Sequence, residues 1–238
     1  LVVGGRYLNL QDLNKLPKPR GKELESKPLL PMRIPYLDEI GSVIKAIKKQ
    51  DVLLHFPYQS FDYLIRLLME AAFDPKVDEI KITQYRVAEN SAVINTLISA
   101  AQNGKKVTVF VELKARFDEE NNMLTAEKMT QAGIRIIYSI PGLKVHAKIA
   151  IIIRKDTREG LQRKHLAYLS TGNFNEKTAK IYSDIALLTA QTELVNDINK
   201  VFAILEGRIC EATFSHLLVA RFNMVPTLTE MIRREIQH

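Results

Sequence analysis

A single cysteine, Cys210, stands among the 238 residues, which excludes an internal disulfide and points to a reducing compartment; the thiol itself reads as a small packing residue. No apolar stretch approaches the length of a membrane-spanning helix. The opening Leu1-Val2-Val3-Gly4-Gly5 lacks the basic, apolar and cleavage regions of a signal peptide, so a cytoplasmic location is expected. An initiating Met is also absent, and the chain opens in what reads as a strand, so a piece of a longer polypeptide is expected. No internal repeat is found.

What is present suits a sizeable globular domain: 46% hydrophobic and 26% charged residues, enough to bury a proper core. The net charge of +7 and pI near 9.4 come from clusters such as Lys45/Lys48/Lys49, Lys105/Lys106 and Arg154/Lys155. Such an excess favours an anionic partner, whether nucleotide, phosphate polymer, nucleic acid or acidic lipid, and is equally the mark of an ordinary solvated surface.

Residues 1–35 read as the strand remnant of a preceding domain, with Val2 and Val3 in a short strand and a turn at Gly4-Gly5. A connector follows in which Pro17, Pro19, Pro28, Pro31 and Pro35 disfavour helix and central strand. A compact domain, 36–238, is expected to start near Tyr36. Apolar periodicity predicts helices over 42–50, 60–73, 92–101, 124–131, 193–205 and 228–237, and strands over 52–55, 80–85, 107–113, 134–139, 147–153, 166–170 and 183–189. The alternation argues an α/β fold with helices flanking a mixed but mainly parallel sheet, the mixing coming from short connections between the last strands.

One stretch carries chemistry. In Pro141-Gly142-Leu143-Lys144-Val145-His146-Ala147-Lys148-Ile149, a His and a Lys two apart share one strand face, an arrangement that suits a phosphate: the imidazole can act as nucleophile while the ammonium holds anionic oxygens. Downstream, Ser170-Thr171-Gly172-Asn173-Phe174-Asn175-Glu176-Lys177-Thr178 offers small and amide groups to an oxyanion. The pairing of His146-x-Lys148 with Gly172-x-x-Asn175 resembles the phospholipase D superfamily.

The resemblance narrows on Thr83-Gln84-Tyr85-Arg86-Val87-Ala88, Val111-Glu112-Leu113-Lys114-Ala115-Arg116-Phe117-Asp118-Glu119-Glu120 and the two motifs above. Their order and spacing are similar to those of the long-chain bacterial polyphosphate kinases, and the likeness runs through essentially the whole chain. It implies a phospholipase D-like catalytic domain, the first of two in the family's complete chain. It also implies transfer of the ATP γ-phosphate to polyphosphate through a phosphohistidine at His146, reversibly, so that ADP is phosphorylated in turn. Lys148 is expected on phosphate, Asn173 and Asn175 on the nucleotide phosphates, and Tyr182 at the nucleotide.

Arg86 and Arg116 match the two arginines described for the family's Mg2+ and phosphate site. A guanidinium has no lone pair to give a metal, so they are read as holding phosphate oxygens that the cation also touches. Asp184, two residues beyond Tyr182, is a candidate to orient the imidazole. Self-association and occasional attachment at a membrane surface go with the resemblance, whereas a nucleic-acid partner does not. Only one His-x-Lys loop is present, so the second catalytic histidine is expected outside this chain and the activity of the chain alone is expected to be weak or absent.

Two other readings stand beside this one. A phospholipase D-like phosphodiesterase or nuclease would complete its site by dimerisation; against it, such enzymes carry an Asp seven residues after the His, where this chain has Ile153. A non-catalytic anion-binding module would use the same basic groups without a nucleophile. His55, His165, His216 and His238 lie in no motif and read as structural or surface residues.

Overall fold

The computed structural model describes residues 13, 17, 26–27, 29–85, 90–112, 119–138, 144–155 and 165–237, and for 119–122 the backbone alone. The chain divides into two compact units, 1–30 and 31–238; the second is the subject below. The expected strand at Val2-Val3, the Gly4-Gly5 turn and most of the connector lie outside the described residues.

The second unit is built on a seven-stranded sheet. Its strands are β1 (Val52–Phe56), β2 (Val77–Gln84), β3 (Lys106–Val111), β4 (Arg135–Tyr138), β5 (Lys148–Arg154), β6 (Leu166–Ser170) and β7 (Asp184–Thr189), in spatial order β1-β7-β6-β5-β2-β3-β4. The β2-β3 and β3-β4 pairs are parallel. The β2-β5, β5-β6, β6-β7 and β1-β7 pairs are antiparallel. The sheet is therefore mixed, as expected, but its pairing is mainly antiparallel rather than mainly parallel. The reason lies in the strands themselves: β5 and β6 are buried on both faces, and a near-continuous apolar run carries no record of the direction of its neighbour.

Helices α1 (Pro35–Ile40), α2 (Val43–Lys49), α3 (Asp62–Phe73) and α4 (Ala92–Gln102) bury the larger core cluster with one face of the sheet. Helix α1 begins at Pro35, the last residue of the expected connector, and opens the compact unit where no element was expected. Its proline occupies the first turn, where the missing N–H costs nothing, and Gly41 closes it at φ 70° with its N–H on the Leu37 carbonyl. Glu70 of α3 fixes the start of α2, accepting from Ser42 Oγ at 2.7 Å and the Val43 amide at 2.7 Å. Helix α5 (Glu119–Gln131) lies between β3 and β4 in the chain.

The other face is covered over β5 and β6 by α6 (Thr192–Leu205). Val195, Ile198, Phe202 and Leu205 pack there on Phe110, Ile149, Ile151 and Ala167. Over β1 and β7 that face is open, with Leu53 and Ile185 exposed. Helix α7 (Met224–Gln237) starts four residues before the expected 228, its Pro226 sitting in the first turn, and buries no side chain.

Candidate active site

Parallel β2 and β3 end at one edge of the sheet, here called the upper edge. Because β5 runs antiparallel to β2, its first residue, Lys148, is also at that edge. β6 ends there at Ser170 and β7 begins there at Asp184, since each pairs antiparallel with its neighbour. The antiparallel pairing thus carries His146 to the strand ends where binding crevices of open α/β sheets form.

Lys148 pairs with Ser170, and Ser170 with Ala186. His146, Gly172 and Asp184 each stand two residues beyond that paired row, all at the upper edge. Gly172 has to be a glycine here: a Cβ would stand 2.6 Å from Asp184 Oδ2, so the absence of a side chain lets the Asp184 carboxylate lie against Gly172. Asp184 Oδ1 accepts from the Thr171 hydroxyl at 2.7 Å. No hydrogen bond joins Asp184 to the His146 ring.

His146 is held by anchors on both sides. Glu112, buried just past β3, accepts the Val145 amide at 3.0 Å. Thr83 of β2 donates to the Ala147 carbonyl at 2.8 Å and accepts the Ile149 amide at 3.1 Å. The imidazole is exposed and edge-on to the Tyr85 ring, centroids 5.1 Å apart. Partial burial lowers its affinity for a proton, and the ammonium groups of Lys148 and Lys144 push the same way. The ring is thereby shifted toward its neutral form, which keeps a nitrogen lone pair.

Lys148 is 5% exposed, donates from Nζ to the His146 carbonyl at 2.6 Å and stands 5.2 Å from the Tyr85 ring centroid. Its cation lies beneath the His146 backbone. Lys144 flanks the same ring at 5.4 Å.

The loop after β6 shows a division of labour. Phe174 is buried against Tyr168. Asn175 Oδ1 accepts the Lys177 and Thr178 amides at 3.0 and 3.1 Å, so its oxygen is spent on the turn that leads to Tyr182. Asn173 Oδ1 is buried with no hydrogen-bond partner. Glu176 ties the loop to the start of α4, accepting from Ser91 Oγ and the Val93 amide, both at 2.9 Å. Tyr182 is 60% exposed.

Of the expected site residues, then, the upper edge gathers His146, Lys148, Asn173, Asn175, Tyr182 and Asp184. Arg86, Arg116 and Gly142 lie outside the described residues; Tyr85 and Glu112, which lead toward the two arginines, are at the upper edge. Sequence reasoning missed the anchoring roles of Thr83 and Glu112, although both stand inside the quoted motifs. It also dismissed His55, whose Nε2 lies 3.0 Å from Ser183 Oγ at this same edge. Among the described residues no three or more His, Cys, Asp or Glu side chains gather to hold a metal ion.

This sheet with a His-x-Lys entry at its upper edge defines a phospholipase D-like α/β domain. The phospholipase D family member Nuc from Salmonella typhimurium superposes with a TM-score of 0.52 over 66% of this chain and 94% of that one, at 12% identity, a likeness of fold alone. Sequence goes further: the model of polyphosphate kinase C-terminal domain 1 matches residues 42–211, and the chain belongs to the polyphosphate kinase family. The polyphosphate kinase of Escherichia coli (strain K12) is 45% identical over 99% of this chain, and that of Salmonella typhimurium (strain LT2) 46%. The crystal structure of polyphosphate kinase from Porphyromonas gingivalis matches with a TM-score of 0.84 and 54% identity, covering 98% of this chain and 38% of that one. The chain spans about a third of the length of the curated relatives it matches.

Proposed function

We propose that this chain supplies the phosphorylated histidine of an ATP:polyphosphate phosphotransferase. The observation that carries the reading is His146 exposed at the upper edge, its backbone anchored by Glu112 and Thr83, with the Lys148 ammonium beneath. An imidazole nitrogen of His146 attacks the γ-phosphorus of ATP; the P–N bond forms as the bond from phosphorus to the β,γ-bridging oxygen breaks, and ADP leaves. The phosphoryl group then passes to the terminal oxygen of polyphosphate, and the reverse sequence makes ATP.

Each side chain has a part in this scheme. Asp184, lying against Gly172, stabilises the imidazole as it gains positive character. Lys148, the Asn173 amide, Arg86 and Arg116 offset charge on the transferring group, where positioning and electrostatics supply most of the catalysis. Tyr182 contacts the nucleotide. Mg2+ would neutralise phosphate charge, carried on the substrate phosphates that Arg86 and Arg116 would hold. Cytoplasmic location and self-association go with the family reading. No described helix is long and apolar enough to cross a membrane.

Incubation of a complete polyphosphate kinase polypeptide containing this chain with γ-labelled ATP and Mg2+ tests the reading. Acid-labile, alkali-stable label is expected on the parent and not on His146→Ala; equal labelling of both contradicts it.

A further inference from the structure

We propose that Lys144 is a further phosphate-binding residue of the phosphorylation site, and that Tyr85 is a positioning residue whose ring holds the Lys144 ammonium beside the His146 imidazole. This rests on the kinase reading above and adds to it two side chains that the His-x-Lys pair does not contain.

Tyr85 stands directly after β2, is half-buried and belongs to neither core cluster, so core packing does not account for its ring. Three groups of the His146 segment meet it instead. The imidazole is edge-on, with centroids 5.1 Å apart and planes at 80°. The ammonium groups of Lys144 and Lys148 lie 5.4 and 5.2 Å from the ring centroid, both inside the range in which an aromatic ring attracts a cation.

The two cations are held differently. Lys148 is buried, and its Nζ donates to the His146 carbonyl at 2.6 Å, which fixes it at the backbone of the nucleophile. Lys144 is exposed, and the next residue, Val145, is fastened through its amide to Glu112 at 3.0 Å. Its stem therefore leaves an anchored backbone while its ammonium stays in solvent near the ring. Two like charges gathered at one ring repel each other, and the electron-rich ring offsets part of that repulsion. Both bear on the imidazole, since each lowers its affinity for a proton.

The chemistry of the transferred group gives Lys144 its work. A phosphoryl group on its way to the imidazole spreads negative charge over three equatorial oxygens, more than one backbone-bound ammonium meets. A cation–π contact at an exposed site is weaker than a charge-assisted hydrogen bond to a phosphate oxygen. The Tyr85 ring thus keeps the flexible Lys144 side chain at hand without competing with the phosphoryl group for it. Tyr85 acts through Lys144 and does not touch the reacting atoms.

The test uses a complete polyphosphate kinase polypeptide that contains this chain. Labelling of His146 is followed in a single turnover at saturating γ-labelled ATP and at about pH 8, above the ordinary imidazole pKa, so that a change in the proton on the ring does not enter. Lys144→Gln is expected to slow labelling about tenfold, and Lys144→Arg, which keeps a cation able to stack on the ring, to retain most of the rate. Tyr85→Leu slows labelling and Tyr85→Phe does not. Lys144→Gln then costs less in the Tyr85→Leu background than in the parent, because residues that act through one another are not additive. Parental labelling by Lys144→Gln overturns the proposal, as does full additivity of the two changes. Lys144→Arg as slow as Lys144→Gln also overturns it, since the lost group would not be a charge. If Tyr85→Leu does not fold, the two variants at exposed Lys144 decide. Absence of label on His146 in the parent is a different result: it overturns the kinase reading itself.

Discussion

At the lower edge of the sheet Arg154 is bonded to Asp74 at 2.7 Å, and Lys105 donates to the Asp74 and Val77 carbonyls at 2.6 and 3.1 Å. At the upper edge His146 is presented to solvent with Lys144 and Lys148 gathered around the Tyr85 ring, and the buried amide of Gln84 and the oxygen of Asn173 have no hydrogen-bond partner. Both edges draw on basic side chains at strand ends. The lower edge spends Arg154 and Lys105 on acceptors far away in sequence; at the upper edge Lys148 donates to the His146 carbonyl two residues away, which sets its cation beside the exposed imidazole. Sequence position at a strand end therefore does not mark a binding group; the partner it meets in the fold does.

Changes at the lower edge should be felt as stability. Arg154→Ala leaves the Asp74 carboxylate without its guanidinium and is expected to cost about 3 kcal/mol in denaturant unfolding, with His146 labelling kept at a permissive temperature; a loss of labelling in the folded variant would blur the distinction between the edges. Glu112→Ala frees the Val145 amide beside the nucleophile. It should lower the rate of phosphoryl transfer on the order of 100-fold, with a smaller loss of stability than Arg154→Ala, as compared by single-turnover labelling and unfolding in parallel.

Gln84→Leu works in the opposite sense. Removing a fully buried amide whose two polar atoms lack partners should raise unfolding stability by about 1 kcal/mol, a gain that a destabilised variant would refute. The smallest effect concerns the His146 proton. Burial and two ammonium groups hold its pKa below the ordinary 6.5, so the reactive neutral form is complete above that value and is lost as the pH falls through the lowered one. Lys144→Ala should move the ring's NMR titration upward and carry the acid limb of labelling with it; an unmoved titration would show that Lys144 does not act on the ring.

Much of this was readable in the chain. The helix expected over 92–101 is realised as α4, and the expected β6 and the core of α6 fall where periodicity puts them. Motif spacing marked His146, and the antiparallel β5 carries it to the upper edge. What was not readable depends on long-range pairing. The orientation of β5, β6 and β7 is decided by neighbours far away in sequence. The grip of Glu112 on Val145 spans 33 residues and that of Thr83 on Ile149 spans 66. His55 looked like any isolated histidine because its partner, Ser183, lies 128 positions away. The bonds from the Lys177 and Thr178 amides to the Asn175 side-chain oxygen, which shape the following turn, were likewise not readable from the motif.

The account turns on where a phosphoryl group resides during the reaction. The most direct measurement is peptide mapping by mass spectrometry, under conditions that preserve phosphohistidine, of a complete polyphosphate kinase polypeptide containing this chain, quenched during turnover with ATP and Mg2+. Phosphate on His146 is the predicted result. Turnover with phosphate on another residue of this chain and none on His146 would contradict it.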